Sequence, residues 1–237
     1  MNNLTDVVDF TEVPHLQEML SYLPIDPEDE EDIVNYVQNI TSLIAVNYKY
    51  GQYQFAYFGV HLLYMTYIYC TAWKIGQIEP ERYKDAIVFA RSYNGREQDF
   101  KIEDADSIFV YSLMPEKDIA KLFKIIDLDN SQISMVGDLV DTRNDMAHAS
   151  GKFEILNEES YDAKVSNIIS SMDFIHRCMV RLIRKWYGQV LISFCKGEYE
   201  GYDDPKDFII EQMIQTFKLS TNELIVCNEM SVSSLVT

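Results

Sequence analysis

Positive charge is the first thing this chain of 237 residues lacks: 20 Lys and Arg stand against 38 Asp and Glu, for a formal net charge of −18. A protein that holds nucleic acid across its whole surface is normally basic, so the balance argues against general phosphate-backbone binding. Cysteine is also sparse. Cys70, Cys178, Cys195 and Cys227 form no C-x-x-C pair, and no His cluster has metal-ligand spacing. They read as reduced, mostly buried thiols of a cytoplasmic protein. There is no P-loop, G-x-S-x-G, H-E-x-x-H or EF-hand pattern, which removes the commonest hydrolase and nucleotide-binding classes. The segment Met1 to Phe10 has no basic stretch and carries Asp6 and Asp9, so it does not read as a signal peptide.

Between Tyr50 and Trp73 charge is missing altogether, over a run long enough to span a bilayer. That run holds Tyr50, Tyr53, Tyr57, Tyr64, Tyr67 and Tyr69 together with Gln52, Gln54, His61, Thr66 and Thr71. Tyrosine prefers the membrane interface to its centre. The expectation is a helix buried within a protein, with no membrane partner.

What is present in quantity is apolar and aromatic: 47% hydrophobic residues, with 16 Tyr and 12 Phe. That is enough for a large core without disulfides and too much for a disordered acidic chain. The periodicity is helical. Asp26-Pro27 and the acids that follow make a helix start, with Ile33, Val37, Ile40 and Ile44 on one face. A second helix is expected over about 52–75, ended by Gly76, and a third over about 80–91. Ser107 to Leu113 could be a short strand or an extended packing segment. Pro115 with Glu116 restarts a helix to about Ile126. Asp129 and Asn130 can cap the next, which reaches about Ala149 and stops at Gly151. Glu158 to about Tyr187 is a long amphipathic helix with Ile168, Met172, Ile175, Met179, Leu182 and Trp186 as its stripe. Asp204-Pro205 starts another, and Ser220 with Glu223 forms a capping-box pattern. The expectation is one all-α domain, a helical bundle with its core over about 28–195 and a C-terminal helical extension over about 197–237.

The informative stretch is Leu139-Val-Asp-Thr-Arg-Asn-Asp-Met-Ala-His-Ala-Ser-Gly151, with Arg143, Asn144 and His148 at fixed offsets. It resembles the R-x(4–6)-H signature of the HEPN superfamily (higher eukaryotes and prokaryotes nucleotide-binding), in its R-N-x-x-A-H form. The setting before a last long helix, and the stretch Leu113-Met-Pro-Glu-Lys ahead of it, look similar too. The resemblance covers about 30–190. It implies an all-α bundle of HEPN type, and a metal-independent endoribonuclease without cofactor that works as a homodimer. It also implies a toxin–antitoxin, abortive-infection or antiphage defence role, with an antitoxin or sensor as a further partner. By resemblance Arg143 and His148 are catalytic and Asn144 supports them. Some HEPN toxins carry a Tyr two residues beyond the motif His; here that position is Ser150.

The chemistry of these side chains fits RNA cleavage. Imidazole titrates near neutral pH and suits acid–base work. Guanidinium stays charged and forks onto phosphate oxygens. On an unbroken helix Arg143 and His148 are about 140° apart around the axis. A second motif across a twofold axis would supply a paired acid and base. The ordinary alternative pairs Arg143 with a local acid such as Asp138, Asp141 or Asp145 and leaves His148 at a helix C-terminus. The acidic surface also fits a non-catalytic helical binding or sensing module that recruits a partner.

Two further patterns stay open. Arg177, Arg181, Arg184 and Lys185 share one face of the long helix. They are either a guide for an RNA backbone or a solvated face paired with acids. Tyr50, Tyr53, Tyr57, His61 and Tyr64 fall within about 80° of one another on their helix. They are either base-stacking rings or a helix–helix contact.

Overall fold

The computed structural model describes residues 12–25, 32–91, 107–147, 155–199, 201–202 and 204–230. Among these, helices pack on helices and no strand forms. The order is α1 (Leu16–Leu20), α2 (Asp32–Lys49), α3 (Tyr53–Ile78), α4 (Pro80–Arg91), a 3-10 turn (Ile108–Leu113), and α5 (Glu116–Ile119) running into a 3-10 stretch (Ala120–Ile126). There follow α6 (Asn130–Ala147), α7 (Glu158–Cys195), α8 (Pro205–Phe208) continuing as a π-helix (Ile209–Thr216), and α9 (Thr221–Asn228). The acidic start proposed at 26–31 lies outside the described residues.

α3 is the central element. It is buried nearly all round and packs on α2 and α7. The uncharged run is therefore the mark of a core helix, buried over most of its circumference. No helix among the described residues is long and apolar enough to cross a membrane. The tyrosines bind it to its neighbours. Tyr64 Oη shares a hydrogen bond with Ser171 Oγ at 2.7 Å, and Tyr67 Oη donates to the Met172 carbonyl at 3.0 Å. Tyr57 and Tyr64 are fully buried, which closes them to bases, and Tyr50 is exposed.

Three sequence expectations need correction. Ser107 to Leu113 is a 3-10 turn, neither strand nor extended segment: Ser107 accepts from the Phe109 amide, and the threefold repeat puts Ile108 and Tyr111 inside together. Tyr111 Oη meets Tyr83 Oη there at 2.5 Å. Gly76 does not end α3. The helix continues to Ile78 and closes at Glu79, while the ring of Tyr83 in α4 lies over Gly76. α7 passes Tyr187 and ends at Cys195, because Gly188 and Val190 are still buried. Of the four thiols only Cys70 and Cys227 are buried; Cys178 is half-buried and Cys195 exposed.

The C-terminal segment docks against the bundle. Ser220 and Glu223 make the expected capping box. Glu223 also pairs with the buried Lys74 of α3, and Val226 and Cys227 enter the same core. Pro24 and Ser220 form an isolated bridge that ties the N-terminal segment to it.

Candidate functional site

α6 carries Arg143 and Asn144 of the motif. Asp129 and Gln132 cap its start reciprocally, at 2.8 and 2.9 Å. Val136 and Val140 are buried on its inward face. Arg143 comes seven residues after the first and three after the second, so it returns to the edge of the inward face. Its side chain is accordingly 26% exposed. Glu116 approaches from the first turn of α5, where Pro115 sets the entry and the helix dipole favours an acid. An Arg143 terminal nitrogen donates to Glu116 Oε2. At the rim, Lys117 and Asp141 pair at 2.5 Å.

His61 of α3 closes the group from below. It is 1% exposed, and its Nε2 lies 3.7 Å from Glu116 Oε2, the same oxygen that Arg143 holds. That separation is too long for a hydrogen bond. Neither ring nitrogen of His61 has a partner among the described residues, nor does Arg143 Nε. Burial pushes the His61 pKa below the usual imidazole value; the Glu116 carboxylate opposes that shift only in part. Burial would raise the Glu116 pKa, but His61 and Arg143 outweigh it and leave the carboxyl below its ordinary range. The unit is thus a neutral imidazole beneath a guanidinium–carboxylate pair.

Asn144 is half-buried beside Arg143. His148 lies outside the described residues, as do Ser150 and Gly151. The basic face of α7 is mostly answered by acids. Arg177 meets Asp173 at 2.6 Å, Arg181 meets Asp127, and Lys185 meets Glu79 at 2.5 Å. Arg184 is exposed. Among the described residues no group of three His, Cys, Asp or Glu is placed to hold a metal ion. Sequence reasoning missed two members of the site. Glu116 reads as a helix-start acid and His61 as one residue of an aromatic seam. No local pattern links either to Arg143.

Compared with known proteins, the chain matches no family model, no curated protein and no solved structure. Any kinship with HEPN proteins therefore rests on the hexapeptide and its setting among helices.

Proposed function

We propose that the protein is a metal-independent endoribonuclease of HEPN type with a toxin–antitoxin or antiphage defence role. The observation that carries the reading is Arg143. It is a half-buried motif guanidinium at a junction of three helices, held in one orientation by an acid and backed by a buried imidazole. In the reaction the RNA 2′-oxygen attacks the adjacent phosphorus, and the bond to the 5′-oxygen breaks. A base takes the 2′-hydroxyl proton and an acid returns one to the leaving 5′-oxygen. Arg143 supplies charge to the pentacoordinate phosphorus and His148 the acid–base group, with Asn144 in support. Two motifs of a homodimer provide base and acid together.

The test is cleavage of single-stranded RNA in EDTA by wild type, Arg143→Ala and His148→Ala. Each variant should lose about 10²-fold or more, and the products should end in 2′,3′-cyclic phosphate. Equal activity of wild type and His148→Ala, or activity abolished by EDTA, ends this reading. At −18 overall, the cationic contacts are local, and RNA affinity should be weak and salt-sensitive.

One observation favours a second reading, a non-catalytic helical module that recruits a partner. The Arg143 guanidinium is already paired with Glu116, and three cations of the α7 face are paired with acids. A stable monomer without RNA affinity at low salt would support it.

A further inference from the structure

The Glu116 carboxylate stands between a guanidinium and an imidazole. The same oxygen, Oε2, accepts from Arg143 and lies 3.7 Å from His61 Nε2. It occupies one terminal nitrogen of the guanidinium fork that a phosphate would use, so a phosphodiester seated on that fork competes with the carboxylate for this donor. Once displaced, Glu116 is a half-buried anion beside a second anion. Among the described residues His61 is the base within reach, and neither of its ring nitrogens has a hydrogen-bond partner.

We infer that His61 is a positioning residue that exchanges with Arg143: when a phosphodiester replaces Glu116 on the guanidinium, His61 takes a proton from solvent and becomes the counter-charge of Glu116. This rests on Arg143 being the phosphate-binding residue of the proposed ribonuclease. Charge conservation within the group supports the step. Arg143, Glu116 and neutral His61 sum to zero. Adding one phosphodiester charge makes the group anionic, and one proton on His61 returns it to zero, which lowers the cost of a buried uncompensated charge.

The surroundings leave His61 as the group that responds. The charges acting on it are Glu116 from α5 and Arg143 from α6. Of the other charges there, Lys117 pairs with Asp141, and Asp118 with Lys121 of the 3-10 stretch that follows α5. On its own helix its neighbours include Tyr64, whose ring is 6.1 Å away, and Tyr57 one turn below. Burial raises both phenol pKa values, Tyr57 to about 12, so both stay neutral.

The experiment is calorimetric titration of the full chain at pH 7 with a fully 2′-O-methylated RNA oligonucleotide, which binds but lacks the nucleophile. Repeating it in buffers of different ionisation enthalpy counts protons. Wild type should take up about one proton per bound site. His61→Gln should bind with no uptake. Glu116→Gln, which removes the competing anion at a partly exposed helix start, should bind about tenfold tighter, also with no uptake. If His61→Gln does not fold, as judged by circular dichroism, the Glu116→Gln proton count carries the test. The same proton count in wild type and variants overturns the inference and leaves the ribonuclease reading standing. No binding by either folded wild type or Glu116→Gln overturns both.

Discussion

Tyr57 and Tyr64 lie on the same face of α3, are both fully buried, and differ in one contact. Tyr64 Oη is bonded to Ser171, whereas Tyr57 Oη has no partner among the described residues. A made hydrogen bond contributes modestly, while a broken one leaves its partner desolvated and unpaired. Tyr64→Phe should therefore cost about 1–2 kcal/mol, because it orphans the buried Ser171 hydroxyl. Tyr57→Phe should stay within about 0.5 kcal/mol of wild type or exceed it. Urea midpoints of the two variants, measured side by side, check the contrast. Equal losses would mean that Tyr57 Oη is bonded after all. The same reasoning sets Arg143 apart. Its motif is plain in the sequence, but its partner is Glu116, twenty-seven positions earlier, and no helical repeat connects them.

At the scale of elements, α2 and α3 form an antiparallel pair turned at Gly51, which sits at φ 69°, where glycine has no steric penalty. Their contact is close at Gly59. A Cβ there would stand 2.5 Å from Ile44 Cγ1 and 3.0 Å from Leu43 Cδ2. Ile44 Cγ1 is near the branch point of a fully buried residue and has little room to yield. Gly59→Ala should destabilise the protein by about 1–3 kcal/mol through overpacking, although alanine is the better helix former. A thermal melt at or above the wild-type midpoint would show that the two helices can separate freely. The capped elements were legible beforehand. Asp129 for α6, Asp204 for α8 and Ser220 with Glu223 for α9 all behave as their side chains require. The misread elements are those whose end or form is set by a neighbour. Gly76 is carried inside a helix by the core around it, and Ser107 to Leu113 is drawn into a 3-10 turn by the burial of Tyr111.

For the molecule as a whole, the buried histidines give stability a definite direction with pH. His61 and His176 both have pKa values held below the usual 6.5, chiefly by burial. Below about 6.5 the unfolded chain binds protons at these sites that the native state does not, so stability falls as pH drops through that window. Glu116, depressed in the fold, adds its own loss further into acid, as pH passes its folded pKa. The urea midpoint should decline from pH 7.5 to pH 5.5, and His61→Gln should flatten that slope. A midpoint independent of pH in wild type would show that the fold does not depress these histidine pKa values.

The sequence by itself determined the all-helical class, the amphipathic α7 and the helix caps, because periodicity and capping are local properties. It also marked Arg143, Asn144 and His148, because a motif is a matter of spacing along the chain. Tertiary structure alone decided what Arg143 faces. Glu116 and His61 reach it from two other helices, and side chains from three helices meet only after packing sets the helices' relative rotation. The charge balance changed meaning for the same reason. A net −18 is a sum over the chain, but packing settles which acid stands against which cation.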